Sequence, residues 1–460
     1  MDTGRRLTIG VLSLALLARV AVFALTGGVL LQGEGRIHTN LATNLLQGNG
    51  YQISRDMLFP RDAREAASPA RMSTFDFYRE VDGFYGVIRP ETPTIFLVPG
   101  TAFFQAAVFA LAGVGNLAAV DAVQLVLGLF TVLMGLVLAR RFLEGPWLVL
   151  AGIVMALDPF QLFFEVVPAT QALFSLLFLA GLLLGIRVLD ARDGSRAAPW
   201  LAAAAAAVWG LAFYVRPAAL PMVPWLALVV LVGKRFRPVS IARAILLVLV
   251  FAAALFPWAA RCRQVSGSWR LLPTQGGVNL WESSARMFSS RFVNEQEGAL
   301  LLYGGLIDTY RDRLNSPGLA EFPAFRDEPE WVRDSVLMDR VTRFLRLNPG
   351  LFPRLFLIRF AEFFKPFPLN AYSVLYTLAG LAAFFWVLVF MVPGSLRLVA
   401  SSGAPGVFLA GAVWGYALMH LITIGGIPHR VAIDFPLIIA ASAGLRAAVR
   451  RWKAGREAAA

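Results

Sequence analysis

The sequence predicts an all-α polytopic membrane protein with about 10–12 transmembrane helices. Three observations predict it. Hydrophobic residues make up 58% of the chain and charged residues only 15%, with a mean hydropathy of +0.65; a soluble chain of 460 residues needs far more polar surface. The apolar residues come in runs close to bilayer length, roughly 20 residues. The basic residues, which give a net charge of +13, sit in short clusters between those runs and not in the single stripe that a nucleic-acid surface would show. The one cysteine, Cys262, cannot form an internal disulfide, the three histidines lie far apart, and no metal-ligand cluster occurs at a familiar spacing.

Taken in order, the runs are Leu7–Leu31, Leu117–Ala139, Pro146–Phe164, Ala169–Leu189, Pro199–Val215, Ala218–Gly233, Ala244–Ala260, Ala371–Val392, Val407–Ile427 and Val431–Val449. The first is too long for a signal-peptide core and lacks a clear cleavage site, so it reads as a retained span. Several are short, and two are interrupted by proline, as tilted, kinked or neighbour-buried helices are. A further run, Thr94–Val114, is decided by sidedness. Short basic loops occur at Arg5-Arg6, Arg140-Arg141, Arg187 to Arg196, Lys234 to Arg243, Arg397, and Arg446 to Arg456. If Thr94–Val114 does not cross, all six share one face, which the positive-inside rule makes cytoplasmic. The expectation is therefore a segment lying along or dipping into the outer face, with both termini cytoplasmic in a multi-pass inner-membrane protein. The alanine run at 202–207 reads as close helix packing.

Two large segments then face outward, roughly Gln32–Pro93 and Arg261–Asn370. This divides the chain into residues 1–260, with a first external loop at 32–116, an external helical segment at 261–370, and C-terminal spans at 371–460. In the second segment Val332, Val336, Leu337, Val341, Phe344 and Leu345 make one apolar helix face. After Asn348-Pro349-Gly350 a second run mixes Phe and Leu with Arg354, Arg359 and Lys365. Such basic amphipathic helices suit the headgroup region.

The most informative stretch follows the first span: GEGRIHTNLATNLLQGNGY, residues 33–51. It places a carboxylate (Glu34), a cation (Arg36) and an imidazole (His38) where the chain leaves the membrane. Ile37, Leu41, Leu45 and Leu46 fall at helical spacing, and Gly48-Asn49-Gly50 ends the helix.

Several separated motifs resemble the C-type glycosyltransferases, in particular the branch with protein mannosyltransferases and lipid A aminoarabinose transferases. ATNLLQGNGY (42–51) is similar to a stretch that follows a catalytic acidic residue, usually Asp, in the first external loop of such proteins; the same interval here leads back to Glu34. VPGTAFFQAAVFALAG (98–113) resembles a proline-glycine turn with a membrane-parallel helix, and ALDPFQLFFEVVPATQALF (156–174) resembles a second short external turn. Relatives carry an acidic residue near the position of Gln171, so a second carboxylate would come from Glu165 or Asp158. GLAFYVRPAALPMVP (210–224), FPWAARCRQVSGSWRLLPTQGGVNLWESS (256–284) and HRVAIDFPLIIAASAGL (429–445) complete the resemblance, which runs in order over nearly the whole chain.

The resemblance implies transfer of a sugar from a polyprenyl-phosphate donor to an acceptor protein, lipid or glycan at the outer membrane face. Such chemistry needs cations for the departing phosphate and a carboxylate to take the acceptor proton. Glu34 is the candidate base, with His38 holding the acceptor or tuning Glu34. Arg216, Arg261, Lys365, His429 and Arg430 fall at expected outer edges and are the candidate phosphate ligands; each also fits a basic residue snorkelling to headgroups. Asp434, one turn after Arg430, fits a simple ion pair. Asp76, Glu80, Asp82 and Glu91 lie in an insert without an assigned role. No cofactor is required; a carboxylate-bound magnesium or manganese stays open. The competing readings are a transporter or lipid flippase, against which the lack of repeated halves argues, and a non-catalytic paralogue of the same fold.

Overall fold

The computed structural model describes residues 3–26, 34–54, 92–286, 328–347, 349–366 and 374–459. The insert carboxylates Asp76, Glu80, Asp82 and Glu91, the stretch 287–327 of the second external segment, and the end of the first apolar run lie outside the described residues. Among the described residues the chain is helical, with a single isolated antiparallel bridge between Gln52 and Pro93.

The helices are α1 (Thr3–Thr26), α2 (Glu34–Leu46), α3 (Gly100–Ala112), α4 (Leu117–Arg140), α5 (Gly145–Ala156), α6 (Pro159–Glu165), α7 (Gln171–Asp190), α8 (Ala197–Val215), α9 (Met222–Gly233), α10 (Pro238–Ser266), α11 (Gln275–Arg286), α12 (Glu330–Leu347), α13 (Leu351–Phe364), α14 (Val374–Ile422) and α15 (Ile427–Ala459). Among the described residues, eight helical stretches are long and apolar enough to cross a membrane. One of them, α14, is two helices joined at Gly403, where φ is 59° and ψ −139°. Dividing it there, and adding the short apolar helix 217–233, gives ten runs, the number of spans read from hydropathy. The chain is a multi-pass, all-α membrane protein.

Local chemistry sets the boundaries. The Asn116 side chain caps α4 by accepting from the Ala119 N–H at 3.1 Å. Pro146, Pro159 and Pro238 sit in first turns, where a missing N–H costs nothing. Gly267, at φ 73°, closes α10 by donating to the Arg263 carbonyl at 2.9 Å. The run Pro146–Phe164 is not one helix: Asp158 breaks it and caps α6, accepting from Phe160 N at 3.1 Å. Arg397, expected in a loop, lies inside α14, which stays helical to Gly403 in spite of Pro393 and Gly394.

The basic clusters gather at one end of the bundle. Arg140 donates to Gly4 O at 2.7 Å, and Arg141 pairs with Asp190 at 3.2 Å. Asp193 meets Lys234, Arg237 and Arg243 at 3.4, 3.5 and 3.5 Å, and Arg446 approaches Glu144 at 3.7 Å. At the opposite end α2, α3, α11, α12 and α13 form a cap. Helix α3, 13 residues long, stays there: Gly100 sits against the Tyr214 carbonyl at the end of α8, and Gln105 donates to Pro168 O at 2.7 Å. Its length of about 20 Å is short of a hydrocarbon core.

The two external segments pack on each other. Tyr51, Ile53, Phe96, Leu97, Val278 and Leu337 share one buried cluster. Glu330 ties α12 to the extended chain before α3, accepting from Ile95 N at 2.6 Å and Thr94 Oγ1 at 2.8 Å. Helix α12 thus uses the Leu337 and Val341 face read from its periodicity, and it lays that face on protein. In the span layer Ala202, Ala205 and Ala206 are fully buried, consistent with close helix packing.

Candidate active site

The site is built at the capped end, around the turn 166–170. Helix α2 lies directly over it: a Cβ at Gly35 would stand 3.0 Å from Pro168 O, so only glycine allows this approach. Glu34 opens α2, where the helix dipole favours a carboxylate. Its Oε1 accepts from Gln275 Nε2 at 2.6 Å. Gln275 begins α11, a roof pinned at three other points. Thr274 N donates to Ile95 O at 3.1 Å, Gly277 N to Asp334 Oδ1 at 2.6 Å, and Ser283 Oγ to Thr423 O at 2.6 Å.

One turn beyond Glu34, His38 points into the protein. It is 1% exposed, and neither ring nitrogen has a hydrogen-bond partner among the described residues. Burial, reinforced by the charge of Arg216, lowers its pKa to about 3, so the imidazole is neutral. Arg216 follows α8 and is itself 8% exposed. Its Nε donates to Thr170 Oγ1 at 2.6 Å and its Nη1 to Pro428 O at 3.0 Å, with the Phe174 ring 5.7 Å away. Among the described residues no carboxylate pairs with it. On the other side of Pro428, the rings of His429 and His420 stack with centroids 4.6 Å apart.

Two of the other buried arginines, Arg19 and Arg430, are neutralised by carboxylates. Arg19 pairs with Glu165 at 2.6 Å, with side chains 1% and 0% exposed. Arg430 pairs with Asp434 at 2.8 Å, both 0% exposed, and donates to Lys365 O at 2.6 Å. Its guanidinium lies 3.7 Å from the Phe384 centroid and 4.4 Å from that of Phe160. This is the one-turn ion pair that the spacing of Asp434 suggested, and it commits the Arg430 donors Nε and Nη1 to the protein. Lys365 is engaged as well, with its Nζ 2.6 Å from Glu362 Oε2.

Arg261 sits elsewhere in the cap. It donates to Tyr51 O at 3.0 Å and Thr94 O at 3.2 Å, beside a cavity of about 480 Å³ shared with Gln264, Glu330 and Trp331. Burial raises the Glu330 carboxyl above its usual range despite its bonds to Ile95 and Thr94. Asp158 is buried at the α6 cap, within electrostatic reach of Arg430 and Asp434. Gln171 is buried at the start of α7. Among the described residues no group of three His, Cys, Asp or Glu side chains is placed to hold a metal ion.

No family model matches the sequence, and no curated protein matches it. Solved structures do. The archaeal oligosaccharyltransferase AglB from Archaeoglobus fulgidus, in complex with an inhibitory peptide and a dolichol-phosphate, aligns with 98% of this chain at a TM-score of 0.53 and 13% identity. The chain has the fold of the membrane part that it matches in that oligosaccharyltransferase. It spans about half of that protein, 51% of its length. The apo form of the Archaeoglobus fulgidus oligosaccharyltransferase gives 0.53 at 14% identity, over 98% of this chain and 52% of that one. ArnT from Cupriavidus metallidurans bound to undecaprenyl phosphate aligns over 97% of this chain and 79% of its own, at a TM-score of 0.41 and 14% identity.

Within this fold, the residues expected from sequence separate into groups. Glu34, His38, Arg216 and His429 surround the 166–170 and 426–430 turns. Arg430, Lys365, Glu165 and Asp158 lie in the protein interior or in local pairs. Arg261 belongs to the cavity by α12. Sequence reading passed over Arg19, the lone charge inside the first apolar run, which was a visible signal. It passed over His420, nine positions before His429, and Gln275, whose amide in an external loop carries no signal at all. Chemically, the first group offers a carboxylate able to take a proton and a buried guanidinium able to hold an anion.

Proposed function

We propose that the chain is an integral-membrane glycosyltransferase. It moves a sugar from a polyprenyl-phosphate-linked donor to an acceptor hydroxyl at the outer face of the cytoplasmic membrane, with the termini and the basic end of the bundle cytoplasmic. One observation carries the reading: Arg216, a buried cation with no carboxylate partner among the described residues, stands by the same turn as Glu34. A buried charge is costly unless something compensates it, and an anionic substrate group would do so. The dolichol-phosphate bound by AglB, a protein of this fold, supports a lipid phosphate as that anion.

In the reaction the acceptor oxygen attacks the anomeric carbon as the carbon–oxygen bond to phosphate breaks. The electron pair leaves with the lipid phosphate, whose added charge Arg216 stabilises. The acceptor proton goes to Glu34, which Gln275 holds in place. Direct displacement inverts the anomeric configuration and requires no covalent enzyme intermediate.

The test is transfer of a labelled sugar from the polyprenyl-phosphate donors of native membranes, comparing wild type with Glu34→Gln at matched expression. Product from wild type and none from a folded Glu34→Gln supports the assignment. Equal product from both removes Glu34 as the base.

A further inference from the structure

The chain contains three histidines, His38, His420 and His429, and all three lie within electrostatic reach of a single guanidinium, that of Arg216. They arrive from separate elements: α2, the last turn of α14 and the first turn of α15. His420 is held between rings, stacked on His429 and with the Tyr416 centroid 4.7 Å away. It is 7% exposed, and Tyr416 is fully buried. Neither ring nitrogen of His38 has a hydrogen-bond partner among the described residues; His420 lies against the Ile424 backbone, and the Tyr416 hydroxyl against the Arg216 guanidinium.

Packing alone does not account for this gathering. Leucine or phenylalanine at positions 38 and 420 would fill the same space without burying imidazole N–H groups, and buried polar groups are normally bonded. Nor do neighbouring carboxylates supply acceptors. Glu34 is engaged by Gln275, Glu165 by Arg19 and Asp434 by Arg430. What the cluster lacks is a ligand with several acceptor oxygens and a small negative charge.

We propose that His420 and His38 hold the phosphate of the lipid-linked donor alongside Arg216, donating N–H bonds to its non-bridging oxygens, and that the site takes a single phosphate. The proposal rests on the glycosyltransferase reading and names the donor-binding side chains of that site. Charge supports the single phosphate. A sugar–phosphate–lipid diester carries one negative charge, and the departing lipid phosphate carries about two. Arg216 and neutral donors match that change, whereas a diphosphate brings a further charge, and the neighbouring Arg430 guanidinium is already matched by Asp434.

Because the chain has three histidines, nitrogen-15 histidine labelling of the full-length protein in nanodiscs gives three imidazole environments, assignable with His38→Gln and His420→Gln. Saturation with polyprenyl monophosphate is expected to shift the His38 and His420 signals. His420→Phe, which keeps the ring stack, is expected to weaken binding about tenfold or more. His420→Gln, which keeps an N–H donor, should weaken it less and serves if the phenylalanine variant does not fold. Inorganic phosphate moving the same two signals at higher concentration supports phosphate as the recognised group. Phosphatidic acid bound as tightly as polyprenyl monophosphate overturns the assignment to the donor in favour of an ordinary headgroup. Equal affinity for polyprenyl diphosphate overturns the single-phosphate part. If wild type binds the monophosphate with the His420 signal unmoved, this proposal fails and the transferase reading stands. If wild type neither binds a polyprenyl phosphate nor transfers sugar, both fail.

Discussion

Gln275 donates to the Glu34 carboxylate at 2.6 Å across 241 positions of sequence, joining the start of α2 to the start of the α11 roof. The amide fixes one carboxylate oxygen of the proposed base. A base held in one rotamer loses less entropy on meeting its proton than a free one. Gln275→Leu is therefore expected to lower kcat for sugar transfer about tenfold with KM for the donor little changed. Steady-state kinetics on membranes of matched expression check this. Because α11 is also pinned through Thr274, Gly277 and Ser283, the melting temperature should move little.

Legibility followed the length scale of each interaction. Spans and the amphipathic face of α12 are local patterns of a few residues per turn, and they were readable. The Arg430–Asp434 pair was readable for the same reason, being one helical turn apart. Glu34 and His38 were visible as polar groups at a span end. Arg19–Glu165 and Gln275–Glu34 were not, because each pairs elements 146 and 241 positions apart, and no periodicity encodes such contacts. The assembly of three isolated histidines around Arg216 was hidden likewise. The unbroken passage of α14 through Arg397 was missed because the run of small and apolar residues up to Gly403 is helix-compatible, while a charge cluster reads as a loop.

His38 makes stability depend on pH. Its folded pKa is about 3, against an ordinary value of 6.5, chiefly through burial. Below about pH 6.5 the unfolded chain takes up a proton that the folded protein refuses, so stability falls as pH drops towards 3. The slope from this one residue is steepest midway through that window, where it approaches about 1.4 kcal/mol per pH unit. His38→Gln removes it. Melting temperatures at pH 7 and pH 5 should differ more for wild type than for the variant; an equal difference would place His38 in a wetter setting.

Arg19 and Glu165 hold the otherwise lightly buried α1 to the bundle through a fully buried pair. The carboxylate fits because position 128 is glycine: a Cβ there would lie 2.2 Å from Glu165 Oε1. Glu165→Leu strands the Arg19 charge and is expected to cost about 3–5 kcal/mol, whereas Arg19→Met with Glu165→Leu recovers most of that loss. Gly128→Ala should destabilise wild type and be tolerated once Glu165 is shortened to Ala. Thermal unfolding in detergent across these variants reads both couplings, and simple additivity would rule out the close approach.

Arg216 and Arg430 are both buried arginines at the capped end, yet they should respond in opposite ways to loss of charge. Arg430 is matched by Asp434 and wedged between Phe160 and Phe384. Arg430→Met strands a buried aspartate and is expected to lower stability by about 3–5 kcal/mol. Arg216 meets the Thr170 and Tyr416 hydroxyls, a carbonyl and a ring face, with no carboxylate pairing it among the described residues. Arg216→Met gives up those neutral contacts but also removes an uncompensated charge, so the two effects largely offset, and the folded protein should keep its stability within about 1 kcal/mol. Sugar transfer should nonetheless be lost, and a short polyprenyl phosphate should no longer raise the melting temperature as it does in wild type. A protein whose stability drops sharply on Arg216→Met, and whose melting temperature still rises with the lipid phosphate, would instead mark Arg216 as a structural residue.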